Sequence, residues 1–176
     1  MVVFDTSVLL LLIHPGAKPP FDAETNQPVE RAAERVAHLA ATLSNSREKV
    51  IVPTPVLSEL LVHAGEATGK YLDILNNQAA FRIAPFDQRA AIEAAIAMKG
   101  ALQRGGIRVD ATDPAATRGK VKFDRQIVAI AKAEGASTVY SDDQDVVKYA
   151  KQAGLEAFRT IDLGLPPENP QSSLDF

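Results

Sequence analysis

The sequence predicts an α/β protein with a short-stranded, mainly parallel sheet wrapped by helices. Three observations carry this. Apolar runs of about four β-type residues recur along the chain, and segments of helical period fall between them. Acids stand at the ends of those runs or in the first turns of the helices. Strands alternating with helices pair in parallel, and such sheets bind ligands beyond the carboxyl ends of their strands.

Residues 1–4 form the first apolar run, which ends at Asp5. Residues 8–13 are continuously apolar and fit one or two buried helical turns. Residues 15–28 hold four prolines and form an irregular loop. From Glu30 a helical stripe of Ala32, Val36, Leu39, Ala40 and Leu43 appears, with Arg31, Glu34 and Arg35 mostly outside it. Residues 49–52 are the second strand. Thr54-Pro55 reads as a helix cap followed by proline at the first helical position, and Glu59 lies on that helix. A further helix runs through Tyr71, Leu72, Ile74 and Leu75.

Residues 81–84 are the third strand, and Asp87 caps an alanine-rich helix reaching about Gln103. Residues 105–119 form a second long irregular stretch. Asp124 opens a helix with Ile127, Val128, Ile130 and Ala131 on its buried side, and Gly135 stops it. Residues 137–140 are a buried strand, followed at once by Asp142, Asp143 and Asp145. A helix from about Gln144 ends at Gly154, and residues 155–158 are the last strand. Residues 1–163 are expected to be one domain, and 164–176 a proline-containing tail.

Composition bounds the function. The chain has 176 residues, 46% hydrophobic and 23% charged, ordinary for a folded soluble protein. It has no cysteine, which excludes disulfides, thiolate zinc sites and a thiol nucleophile. No signal peptide is expected from its opening residues, and its longest apolar run is far short of the ~20 residues that span a membrane. A cytoplasmic protein with no membrane partner is expected. Net charge is −3, yet residues 99–125 hold seven basic residues against three acids, a local balance of +4. Arg118, Lys120, Lys122 and Arg125 in that strip are candidates for phosphate contact. A solvated loop of mixed charge accounts for the strip equally well.

Taken singly, the acids have structural explanations as caps, dipole partners or turn residues. In a parallel sheet, however, Asp5, Glu59, Asp124 and the 142/143/145 cluster converge on one pocket. Carboxylates gathered there repel and raise one another's pKa. One or two Mg²⁺ or Mn²⁺ ions, which take all-oxygen ligands, remove that penalty and can activate a water for phosphodiester hydrolysis. His14, His38 and His63 lack metal-ligand spacing and read as structural or solvated.

Four stretches then resemble the blocks of PIN-domain ribonucleases, most closely VapC-type toxins. They are Val2-Val-Phe-Asp5-Thr-Ser7-Val-Leu-Leu, Pro53-Thr-Pro-Val-Leu-Ser-Glu59-Leu, Phe123-Asp124-Arg-Gln-Ile-Val-Ala-Ile-Ala and Val139-Tyr-Ser141-Asp-Asp143-Gln-Asp145-Val. They occur in the family's order over roughly residues 1–160. The resemblance implies a PIN-like three-layer α/β/α fold and Mg²⁺- or Mn²⁺-dependent cleavage of RNA. It also implies a homodimer bound by a cognate antitoxin. By the same resemblance Asp5, Glu59, Asp124 and Asp143 are the catalytic acids. Asp5, Asp124 and Asp143 hold metal, while Glu59 binds a second ion or positions the water. Asp145 and Asp142 are auxiliary, and Ser7 supports Asp5. The loops at 15–28 and 104–122 are longer than in compact toxins. A housekeeping nuclease of RNA processing and a non-catalytic module keeping the acidic pocket are the alternatives.

Overall fold

The computed structural model describes residues 1–167. Among them the strands β1 (Val2–Phe4), β2 (Val50–Pro53), β3 (Phe81–Ala84), β4 (Thr138–Tyr140) and β5 (Glu156–Phe158) form one sheet in the order β3-β2-β1-β4-β5. Every neighbouring pair is parallel. The central strands β1 and β2 are buried along their whole length, because helices cover both faces of the sheet. The edge strands β3 and β5 leave side chains partly exposed.

The helices are α1 (Thr6–Ile13), α2 (Ala32–Asn45), α3 (Thr54–Ala64), α4 (Thr68–Asn77), α5 (Gln88–Gln103), α6 (Arg118–Ala133) and α7 (Gln144–Gln152). The chain winds from β1 to β3 in one direction, then crosses back to β4 and β5 in the other. Right-handed crossovers therefore put α1–α4 on one face and α5–α7 on the opposite one. This is the three-layer α/β/α arrangement, and its direction of winding reverses between β1 and β4.

Most expected elements appear within a residue or two, and two differ for local reasons. The helix expected to open at Asp124 begins six residues earlier, at Arg118. Thr117 caps it, its hydroxyl accepting from the Lys120 N–H at 3.1 Å, so residues 118–122 of the expected basic loop are helical. Pro53, and not Thr54, holds the cap position of α3, because the Thr54 hydroxyl accepts instead from the Phe86 N–H. The expected 15–28 loop is irregular apart from one antiparallel bridge, Phe21 to Pro28. Residues 164–167 of the expected tail have no regular structure, and 168–176 lie outside the described residues.

Gly135 ends α6 as expected, with φ +68°. The Gly135 N–H donates to the Lys132 carbonyl and the Ala136 N–H to the Ala131 carbonyl, which satisfies the last turn. No helix among the described residues is long and apolar enough to cross a membrane.

The core joins strand side chains such as Phe4 and Ile51 to helix side chains such as Leu9, Leu60, Ile127 and Ile130. Ile130 is fully buried, whereas Ile96 on α5 is 61% exposed. Ile130→Ala should therefore lower unfolding stability by about 3–4 kcal/mol in a urea titration. Ile96→Ala should cost no more than about 0.5 kcal/mol. Equal losses would mean that α6 is not packed as described.

Candidate metal-dependent active site

The cleft of about 510 Å³ at the carboxyl edge of the sheet is lined by Asp5, Glu59, Asp124 and Asp143, with Ser7, His63, Lys120 and Phe123 among its other walls. Each acid arrives from a different element. Asp5 follows β1 directly, and its N–H donates to the Tyr140 carbonyl of β4. Glu59 sits one turn into α3, and Asp124 lies in the second turn of α6. Asp143 caps α7, accepting from the N–H groups of Asp145 and Val146. Asp5 and Asp143 therefore flank the reversal point between β1 and β4, where open sheets carry their ligand crevice.

Asp5 is buried, and the Ser141 hydroxyl donates to its Oδ2 at 2.6 Å. Burial, opposed by the Ser141 hydrogen bond, pushes its carboxyl from 3.8 up to about 6. Glu59 and Asp143 add repulsion in the same direction. Asp124 also rises to about 6, through burial, although its hydrogen bond with Lys120 pulls the other way. Glu59 is exposed at the cleft and accepts from the Thr6 hydroxyl at 2.7 Å, which ties α3 to α1.

The carboxylates near enough to share one cation, among the described residues, are those of Asp124, Asp143 and Asp145, each of which offers one oxygen within 4.8 Å of the others. A hard, all-oxygen donor set of this kind suits Mg²⁺ or Mn²⁺. Asp145 thus stands with the main acids. Its Oδ1 is fixed by the Thr112 N–H at 2.5 Å. Lys120 reaches into the same trio, its Nζ 2.7 Å from Asp124, 2.8 Å from Asp143 and 3.7 Å from Asp145.

Several expected site residues are placed elsewhere or do other work. Asp142 turns away, accepting from both the N–H and the hydroxyl of Thr160, so it anchors the chain after β5. Ser7 is a weak partner for Asp5 at 3.5 Å and mainly accepts from the Asp142 N–H. Arg125 is buried, 3.3 Å from Asp110 and stacked on the Tyr149 ring at 4.2 Å, so it cannot meet a phosphate in this arrangement. Lys120 turns its ammonium to the acids while its side chain stays partly exposed. Arg118 and Lys122 remain exposed on the first turns of α6.

Sequence reasoning missed Ser141 and Thr6 as partners of the acids, and His63, read there as structural or solvated, lines the cleft. His63 lies four residues after Glu59 on α3, a spacing that puts both on one helix face and could have revealed it. His14, by contrast, is structural: its Nδ1 lies 2.6 Å from the Tyr71 hydroxyl.

Three solved structures share this fold over most of the chain. VapBC2 from Rickettsia felis, bound to a DNA fragment from its promoter, matches with a TM-score of 0.56 at 15% identity, over 90% of this chain and 98% of that one. DNA-bound VapBC from Salmonella typhimurium gives 0.54 at 14%, over 90% and 97%. Mycobacterium tuberculosis VapC20, a sarcin–ricin loop cleaving toxin, gives 0.50 at 17%, over 88% and 96%. No family model and no curated protein sequence matches the chain. At such identities the likeness establishes a shared architecture, and the chain has a PIN-like three-layer α/β/α fold.

The buried acids make stability depend on pH with a defined sign. The folded state holds the Asp5 proton up to about pH 6, while the unfolded chain releases it near 3.8. Stability therefore falls as pH rises through that window and stays reduced above it. In chelating buffer, Asp5→Asn should be more stable than the parent at pH 7.5 by about 3 kcal/mol. The gain should shrink towards zero near pH 4, and a gain independent of pH would refute the assignment.

Proposed function

We propose that this chain is a metal-dependent endoribonuclease, the toxin of a toxin–antitoxin pair. The observation that carries the reading is the convergence of Asp5, Asp124 and Asp143 on one cleft beyond β1 and β4, with Asp145 grouped beside the last two. The architecture shared with VapC-containing structures supports it, and so does VapC20 being a toxin that cleaves RNA.

Asp124, Asp143 and Asp145 would hold one Mg²⁺ or Mn²⁺ ion, with Asp5 beside them. Such an ion, when bound, lowers the pKa of a water and stabilises charge on a phosphate. The chain supplies the remainder. Ser141 fixes Asp5 in one orientation, so the carboxylate meets the cleft without a search over rotamers. Asp5 and Asp124, both pushed to about 6, are ionised when a cation neutralises the cleft, and they can take a proton when it does not. Glu59, exposed and steadied by Thr6, is placed to orient a water and accept its proton. Arg118 and Lys122 stand on the turns of α6 that also contribute Gly119 and Phe123 to the cleft, and they meet the RNA backbone. An antitoxin and a second copy of the chain are the expected partners, in a cytoplasmic setting.

Incubating the purified chain with structured RNA and Mn²⁺ tests the reading. Cleavage should vanish with chelator and fall by at least ~10³-fold in Asp124→Asn, which keeps the side-chain shape but removes the charge. Cutting that survives both treatments would sink the proposal.

Binding of RNA in chelator, measured against salt, tests the cations separately. Replacing Arg118 and Lys122 by Ala should flatten the salt slope by roughly 0.7 for each lost phosphate contact. An unchanged slope would remove both residues from the RNA path.

A further inference from the structure

Lys120 occupies a position that the reading above does not explain. Its ammonium lies among the oxygens of Asp124, Asp143 and Asp145, the same three residues whose oxygens come close enough to share a cation. We propose that Lys120 is a built-in competitor for the metal site, an ammonium that pairs the acids until a divalent ion displaces it and frees it for phosphate. The proposal rests on the metal-dependent reading of the cleft.

Three observations carry it. The first is exclusion. A divalent ion of this class binds oxygen at about 2.1 Å, and the ammonium already stands 2.7–2.8 Å from an oxygen of two of the three carboxylates. Two cations in so small a space repel one another, so the ion and the ammonium compete for the same carboxylates. The second is compensation. Among the described residues, every ion pair made by this trio is made by Lys120, while Arg125 and Arg104 are committed to Asp110. Burial alone would disfavour the ammonium, but the hydrogen bonds and charges of Asp124 and Asp143 outweigh it, so the lysine stays charged.

The third is freedom to leave. Lys120 is in the first turn of α6 and its side chain is 42% exposed. It enters the trio from the open side of the cleft on a flexible stem, so rotation of its own side chain releases it without moving the backbone. Turned outward, it joins the exposed strip of Arg118 and Lys122. Metal and RNA backbone then favour the same state of one side chain, and each strengthens binding of the other to an equal degree.

The test is Mn²⁺ binding by calorimetry, in parent, Lys120→Met and Lys120→Gln proteins, with Lys70→Met on α4 as a charge control. Removing the competing charge should tighten Mn²⁺ binding by about tenfold or more, and Lys70→Met should leave it unchanged. In chelator, Lys120→Met should melt lower than the parent, and its rise in Tm on adding Mn²⁺ should be larger. A single-stranded DNA oligonucleotide, which carries the phosphates without the 2′-hydroxyl, should tighten Mn²⁺ binding in the parent and lose that effect in Lys120→Met. Equal or weaker Mn²⁺ binding in both folded variants overturns the competitor role. If neither parent nor variants bind Mn²⁺, the competitor role and the metal-dependent reading fall together. If the competition is seen but the parent never cuts RNA, Lys120 keeps its role and the nuclease reading alone falls.

Discussion

Carboxylates confined to one edge of a small sheet repel one another, and burial makes each of them costlier to ionise. Asp5, Asp124, Asp143 and Asp145 stand in that situation, and much of the surrounding structure compensates for it. Ser141 donates to Asp5, the Thr112 backbone to Asp145, the start of α7 to Asp143, and the Lys120 ammonium to Asp124 and Asp143. What the fold does not compensate shows in the raised affinity of Asp5 and Asp124 for protons. A site in this condition favours any added cation, and that is the physical root of the metal-dependent reading.

The sheet makes the concentration of charge possible. Reversal of winding between β1 and β4 leaves a crevice in which no crossover covers the strand ends. The short strands deliver Asp5 and the Ser141–Asp143 turn side by side, in register through Phe4 and Tyr140. α6 lays Asp124 across the crevice, and the buried face of that helix, from Val121 to Ala131, holds it against the sheet.

The long stretch between α5 and α6 has a part in this as well. Asp110 receives Arg104 at 2.6 Å and Arg125 at 3.3 Å, and Arg125 in turn stacks on Tyr149 of α7. The Arg104 hydrogen bond holds the Asp110 carboxyl below its usual range despite some burial. Two residues further on, Thr112 reaches Asp145. The segment that looked like a basic loop in the sequence is thus pinned between α6 and α7, and its backbone orients one of the acids.

The sequence by itself determined the alternation of strands and helices, the positions of Gly135 and Asp87 at helix ends, and the arrival of the acids at one edge. Those features follow from local rules: apolar period, capping chemistry and the direction in which a parallel strand ends. The start of α6 was less legible, since Gly119 and three cations hide a helix that Thr117 caps. Orientation belonged to the tertiary structure alone. Asp142 and Asp143 are neighbours of identical chemistry, yet the strand end sends one to Thr160 and the other into the cleft. Lys120 and Arg125 sit in one basic strip, yet helical period points the first at the acids and buries the second under α7. Whether a charge faces phosphate, carboxylate or core depends on which elements pack beside it, and no linear spacing records that.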